Sequence, residues 1–135
     1  MTVDDRSPYA RTSPPQVVLV VEDEPILRMM AVDMVEEAGF QALEAADATE
    51  ALLILEERLD IRIVFTDIDM PRGIDGLKLA ALIRDRWPPI EIIVTSGHVK
   101  LTDVQLPDRS LFFSKPYRQE QVVAAMRKFA EAPPA

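Results

Sequence analysis

The sequence predicts a doubly wound α/β fold, with a five-stranded parallel sheet between two layers of helices. Three mainly apolar runs, Val17–Val21, Ile61–Phe65 and Ile90–Val94, have the composition of strands covered on both faces. Between them lie longer segments in which apolar residues recur at helical spacing. A regular alternation of strand and helix is typical of parallel sheets, because each crossover between parallel strands needs a long connection.

The first three predicted helices carry signals at their ends. Pro25 suits the first turn of a helix, where its missing N–H costs nothing, and Gly39 is placed to end that helix. Asp47 and Glu50 have the spacing of a capping box at the start of a second helix. A third helix is predicted from Gly76 to Trp87, where apolar residues recur at helical spacing, and the two prolines that follow end it.

The remaining elements carry weaker signals. Residues Phe40–Ala45 alternate in polarity, which suits an edge strand with one wetter face. Leu111–Phe113 is predicted as a short fifth strand, and apolar residues from Val122 to Phe129 mark a last helix. Between Gly97 and Asp108 the helical periodicity is weak and a proline intervenes, so the fourth helix is predicted to be short or irregular.

The length of 135 residues suits one domain. We predict that this domain spans residues 16–131. Residues 1–15 are predicted to be a flexible N-terminal tail, and residues 132–135 a short C-terminal tail. Both ends are rich in proline and poor in apolar side chains, so they cannot bury enough surface to offset the entropy of ordering.

Charge and hydropathy exclude several classes of protein. The 23 acidic and 15 basic residues give a net charge of −8, which argues against a nucleic-acid partner. No apolar run approaches the roughly 18 to 20 residues of a membrane span, and no signal-peptide pattern is visible. The absence of cysteine excludes disulfides and thiolate metal sites. We therefore expect a cytoplasmic protein with no membrane or nucleic-acid partner.

Carboxylate, hydroxyl and lysine side chains lie where four of the predicted strands end. They are Glu22-Asp23, Asp67, Thr95-Ser96 and Lys115-Pro116. If the strand order is 2-1-3-4-5, these ends meet in the crevice at the topological switch point of the sheet. Carboxylates so close together would repel one another without a cation, and their oxygens suit Mg²⁺. With Lys115 as a partner for phosphate, the set has the chemistry of phosphoryl transfer to a carboxylate.

These motifs resemble the response-regulator receiver domain of two-component signalling, a family with a flavodoxin-like fold. The resemblance covers about Val17 to Phe129. It rests on four motifs in the family's order: Glu22-Asp23, the run Asp67–Pro71 with Asp75-Gly76, Val94–Ser96, and Lys115-Pro116. Their combination is far more specific than any one of them alone.

The resemblance implies a phosphorelay receiver that takes a phosphoryl group from a sensor histidine kinase or a histidine phosphotransfer protein and regulates a downstream protein. It implies that Asp67 is the phospho-acceptor and that Lys115 and Thr95 contact the phosphoryl oxygens. The implied Mg²⁺ ligands are Asp23, Asp67, the backbone carbonyl of Asp69 and, through water, Glu22. It further implies a cis Lys115–Pro116 bond and a switch pair made of Thr95 and Phe112.

Three positions depart from the family pattern. Glu22 stands where the family often has Asp, and Phe112 stands where it frequently has Tyr. Arg72 has the position of a one-residue insertion in the loop after Pro71. Because the fourth helix is weak, we expect a monomer or weak homodimer and no activation dimer built on that helix and its neighbouring strands.

Two other functions are open at this stage. Asp67-Ile68-Asp69 also resembles the nucleophile motif of haloacid-dehalogenase-type phosphatases, but Pro71 stands where that family has Thr or Val. A receiver-like interaction module that is never phosphorylated is a further alternative. We expect a signalling domain and not an enzyme, present either alone or as a receiver from a longer kinase.

Overall fold

The computed structural model describes residues 14–70, 73–98 and 106–131. Almost all of the predicted N-terminal tail and the whole C-terminal tail therefore lie outside the described residues. The elements in chain order are β1 (Val17–Val21), α1 (Pro25–Glu37), β2 (Gln41–Ala45), α2 (Ala48–Glu57), β3 (Ile61–Asp67), α3 (Gly76–Arg86), β4 (Glu91–Ser96), β5 (Ser110–Ser114) and α4 (Gln119–Glu131).

The five strands form one parallel sheet in the order β2-β1-β3-β4-β5, which confirms the predicted topology. Alternate residues of β1 enter two separate cores. Leu19 and Val21 face the core under α2 and α3, whereas Val18 and Val20 face the core under α1 and α4. Helices cover both faces of the central strands, which is why these strands are mainly apolar.

The helix ends follow the predicted signals with one difference. Pro25 begins α1, and Gly39 follows it with φ of 99°, a conformation that favours glycine. The Asp47 side chain accepts a hydrogen bond from the Glu50 backbone N–H at 2.8 Å. The Glu50 carboxylate reaches back to the N–H of Ala46, and not to that of Asp47 as a regular capping box would have it.

Arg62 interrupts the otherwise apolar run of β3. The pairing of β1 with β3 is irregular there, since Val17 pairs with Ile61 and Val18 with Ile63. Arg62 is the extra residue of this bulge, which lets its side chain leave the core. Its guanidinium donates to the backbone carbonyl of Phe129 at 2.8 Å, so it ties β3 to the last turn of α4.

Two strands continue further than their apolar runs predict. β3 extends to Asp67 and β4 extends to Ser96, so regular sheet pairing reaches the residues of the predicted site. The loop residue Arg72 and the core of the segment predicted as a weak fourth helix, residues 99–105, lie outside the described residues. None of the helices in the described ranges is long and apolar enough to cross a membrane.

Candidate functional site

Asp67 lies at the carboxyl edge of the sheet, in the crevice between the ends of β1 and β4. It is the last residue of β3, it pairs in register with Thr95, and its side chain is only 4% exposed. The chain leaves the sheet directly after Asp67, with the N–H of Ile68 donating to the carbonyl of Thr95 at 2.8 Å. This pairing fixes the acceptor carboxylate on a rigid strand end rather than on a loop.

Three carboxylates gather at this edge. Glu22, Asp23 and Asp67 each offer an oxygen, and these oxygens all lie within 4.8 Å of one another. The end of β1 is held in place by Arg28, which donates to the backbone carbonyl of Glu22 at 2.9 Å. Such a set of oxygen donors fits a hard divalent cation, because a cation would relieve the repulsion among the carboxylates.

The burial of these carboxylates changes their ionisation. The pKa of Glu22 is raised to about 7, first by burial and then by the neighbouring charge of Asp67, against the opposing effects of the Glu24 backbone N–H and Lys115. Burial also raises the pKa of Asp67, with Lys115 and the Asp69 backbone N–H offsetting part of that effect. Both carboxyl groups are therefore harder to ionise than free ones, and a nearby cation favours their ionised forms.

Lys115 supplies the positive charge of the site. Its Nζ lies 3.1 Å from Asp67 Oδ1 and 3.7 Å from Glu22 Oε1. Burial lowers the pKa of Lys115, but its pairing with Asp67 and Glu22 outweighs that effect and the pKa is raised overall. The Lys115–Pro116 peptide bond is cis, as expected from the resemblance.

Ser96 lies at a predicted strand end, but the sequence assigned it no separate role at the site. Its Oγ donates to Asp69 Oδ2 at 2.8 Å and accepts a hydrogen bond from the His98 backbone N–H at 3.0 Å. The same Asp69 oxygen accepts from the Gly97 backbone N–H at 3.3 Å. The loop after β3, through Asp69, thus holds the Ser96 hydroxyl at the end of β4.

The two hydroxyl residues of β4 lie on opposite faces of the sheet. Ile93 and Val94 enter different cores, so by strand alternation Thr95 lies on the face of Ile93 and Ser96 on the face of Val94. Phe112 pairs in register with Val94 and packs in the same core. Ser96, and not Thr95, therefore shares a face with the predicted switch aromatic. Strand alternation in the β4 sequence places the two hydroxyls on opposite faces, but only the register with Phe112 shows which of them shares its face.

Gly76 has a role that the motif alone does not explain. It is the first residue of α3, and its N–H donates to the carbonyl of Ile68 at 3.1 Å. A Cβ added at Gly76 would lie 2.2 Å from the carbonyl oxygen of Asp67. The helix can approach the backbone of the acceptor residue this closely only because position 76 has no side chain.

Cavities open on both sides of Asp67. A wide, polar one of about 690 Å³ is lined by the acidic cluster, Asp69, Gly97, His98 and Lys115. A smaller, mainly apolar one of about 420 Å³ runs beneath it, between α1 and the segment after Lys115, and Thr95 lines this one. The rim of α1 is apolar and exposed at Ile26, Leu27, Met29 and Met30. Asp67 thus lines both cavities, and the exposed rim of α1 lies beside the apolar one.

A doubly wound sheet with a buried aspartate at a strand end, an acidic cluster and a paired lysine at its carboxyl edge has the architecture of a phosphorelay signalling domain. The chain matches the family described as response regulator receiver domain over residues 18–127. It belongs to this family, whose members act in two-component signalling, and neither the phosphatase nor the unphosphorylated-module alternative is favoured.

Similar proteins include a putative NtrX-like response regulator of Rickettsia felis, which is 30% identical over 118 residues, covering 84% of this chain and 25% of that protein. The sensor kinase CckA of Brucella abortus is 32% identical over 118 residues, covering 84% of this chain and 12% of that protein. The crystal structure of the response regulator TrrA from Thermotoga maritima in complex with Mg(2+)-BeF has a TM-score of 0.75 and 26% identity, and the match covers 84% of this chain and 98% of that chain. This chain thus spans a quarter or less of the two curated relatives.

Proposed function

We propose that this domain accepts a phosphoryl group on Asp67 from a phosphohistidine of a sensor kinase or phosphotransfer protein. The observation that carries the proposal is the contact of 3.1 Å between Asp67 Oδ1 and Lys115 Nζ, beside the carboxylates of Glu22 and Asp23. A carboxylate at a strand end with a fixed cation at its oxygen is placed to act as a nucleophile.

The transfer forms a bond between an Asp67 carboxylate oxygen and phosphorus and breaks the bond between phosphorus and the histidine nitrogen. The bonding electrons return to the histidine nitrogen. The imidazole leaves as a neutral ring because its other ring nitrogen carries a proton, which it keeps or takes from solvent. Asp67 must be ionised to attack, and Lys115 favours that form against the effect of burial. Lys115 is also positioned to neutralise charge on the transferred oxygens.

Mg²⁺ is the cofactor proposed for this site, held by Asp23, Asp67 and the backbone carbonyl of Asp69, with Glu22 acting through water. When bound, it would supply positive charge at the phosphoryl oxygens. We expect Asp23→Ala to weaken Mg²⁺ binding strongly and Glu22→Asp to weaken it only mildly, because water can rearrange around an indirect ligand. Calorimetric titration that gave the reverse ranking would contradict this assignment.

The hydroxyl and aromatic roles are proposed with one amendment. Thr95 was expected to contact the phosphoryl group, but we propose Ser96 for this role, since its Oγ donates to Asp69 Oδ2, Asp69 lines the polar cavity, and Ser96 shares a face with Phe112. We propose Ser96 and Phe112 as the switch pair, with Thr95 lining the apolar cavity. The inward position of Phe112 would be favoured by burial, because phenylalanine has no hydroxyl to donate.

The proposed role is signalling through a partner protein, with no catalytic turnover of a separate substrate. The exposed apolar rim of α1, beside Asp67, supports approach by a protein donor. A cytoplasmic location is proposed as well, since the expected donors are intracellular kinases. A monomer or weak homodimer is proposed because the segment between Gly97 and Asp108, where a helix was predicted to be weak, has little helical signal.

The test is the intact mass of the protein after incubation with acetyl phosphate or phosphoramidate and Mg²⁺. Wild type should gain one phosphoryl group, and Asp67→Asn should gain none. Asp69→Asn is the matched control, because it changes a carboxylate two residues away and should still be labelled. Unchanged mass in wild type, or labelling that survives in Asp67→Asn, would contradict the proposal.

A further inference from the structure

We propose that the side chain of Asp69 is a positioning group that holds the Ser96 hydroxyl in the resting state and releases it when Asp67 carries a phosphoryl group. This inference rests on the proposed function, because it concerns how the same site is switched. It assigns to the Asp69 carboxylate a role separate from that of the Asp69 backbone carbonyl at the metal.

The geometry gives the Asp69 carboxylate a firm hold on the end of β4. One oxygen, Oδ2, accepts from Ser96 Oγ at 2.8 Å and from the Gly97 backbone N–H at 3.3 Å. Hydrogen bonds to an ionised acceptor are about twice as strong as neutral ones. Ser96 is fully buried, so its hydroxyl gains little from exchanging this partner for solvent.

The same carboxylate lies within electrostatic reach of the reacting groups. The charge of Asp69 raises the pKa of both Asp67 and Lys115, after the larger effects of burial and of the Asp67–Lys115 pairing. A phosphoryl group on Asp67 would add about 1.5 to 2 negative charges beside it. Like charges repel, so phosphorylation would push the Asp69 carboxylate away while offering Ser96 a new acceptor.

Release of Ser96 would move the backbone that follows it. Ser96 Oγ also accepts from the His98 backbone N–H at 3.0 Å, so the hydroxyl cannot turn toward Asp67 without changing that contact. The Gly97 N–H would lose its acceptor at the same time. One exchange of partners therefore couples the state of Asp67 to the backbone of residues 97–98, where β4 ends.

The experiment is a double-mutant cycle on the affinity for beryllofluoride, a mimic of the phosphoryl group, at saturating Mg²⁺. Wild type, Asp69→Ala, Ser96→Ala and the double variant are titrated by calorimetry. Asp69→Ala should raise the affinity about tenfold, the scale of one hydrogen bond to a charged group. In the Ser96→Ala background the same change should have less than about a third of that effect, because there is no hydroxyl to release.

The cycle separates the positioning role from simple repulsion between Asp69 and the bound anion. Repulsion alone predicts the same gain with and without Ser96, and that result would overturn the proposal, as would a loss of affinity in Asp69→Ala. Glu24→Gln is the charge control, since it removes an exposed carboxylate at the same cavity and its effect should not depend on Ser96. Circular dichroism verifies the fold of each variant.

The result also distinguishes this proposal from the proposed function. If wild type binds beryllofluoride but the cycle shows no coupling, only the role of the Asp69 side chain is wrong. If wild type binds no beryllofluoride with Mg²⁺ present, the proposed function fails, and the role of Asp69 fails with it.

Discussion

Lys115 Nζ lies 3.1 Å from Asp67 Oδ1, although the two residues follow strands that are not neighbours in the sheet. Asp67 ends β3, Lys115 follows β5, and β4 lies between them. The lysine side chain passes beside Gly97, where an added Cβ would lie 3.8 Å from Lys115 Cβ. The pair therefore joins three strand ends and supplies the cation that the buried carboxylates need.

Lys115→Gln should destabilise the metal-free protein by about 1 to 3 kcal/mol, because Glu22 and Asp67 lose the cation that they face. Saturating Mg²⁺ should reduce the loss, since a cation replaces the missing charge. Urea unfolding with a chelator and with Mg²⁺ measures both quantities. Lys78→Gln, at an exposed position on α3, is the control, and an equal loss in both variants would contradict the account.

Ser96→Ala should allow phosphorylation of Asp67 but abolish the response of Phe112, because Ser96 shares a face with that ring. Thr95→Val keeps the shape of the buried Thr95 and should leave the response intact. The response is the change in the Phe112 amide and ring resonances on addition of beryllofluoride. The opposite ranking of the two variants would restore Thr95 as the switch residue.

The metal-free protein should lose stability as the pH rises from about 4.5 to about 7. The pKa of Glu22 is raised from 4.5 to about 7 in the folded state, so the folded protein binds more protons than the unfolded chain across this range. Glu22→Gln should remove this part of the pH dependence, whereas Glu24→Gln, at the exposed neighbour, should not. Urea unfolding with a chelator at pH 5.5 and pH 8 tests it, and equal slopes in all three proteins would contradict it.

Much of this arrangement could be predicted from the sequence, because both-face burial leaves a clear mark. β1 is apolar at every position, β4 has an apolar centre from Ile92 to Val94, and helix signals such as Pro25 and Asp47 act locally. The β-bulge at Arg62 was not predicted, because a bulge is a property of the pairing between two strands and periodicity along one strand does not show it. The sequence placed the site at the strand ends because parallel strands share one edge.

The choice between Thr95 and Ser96 could not be made from motif order alone. Adjacent residues of a strand point to opposite faces, so an offset of one residue moves the hydroxyl from one core to the other. The proposed switch pair rests on the register of Val94 with Phe112, and register is a tertiary property. The hold of Asp69 on Ser96 is likewise a contact between residues 27 positions apart.

Gly76→Ala should disturb the site more than the addition of one methyl group usually does. The added Cβ would lie 2.2 Å from the Asp67 carbonyl oxygen, so either α3 or the end of β3 must shift. We expect a loss of about 1 to 3 kcal/mol or more, as for other overpacked positions, together with slower phosphorylation of Asp67. Gly97→Ala is the matched control, because its Cβ has room, and thermal unfolding with labelling rates compares the two. Similar losses in both variants would contradict this reading of Gly76.

Locating the phosphoryl group on a single residue shows whether Asp67 carries it. An aspartyl phosphate is reduced by borohydride to homoserine, which peptide sequencing by tandem mass spectrometry can place at a single residue. After incubation with phosphoramidate and Mg²⁺, the account predicts homoserine at position 67 and at no other aspartate. Homoserine at Asp23 or Asp69 in place of Asp67, or at no position in a protein that remains folded, would contradict it.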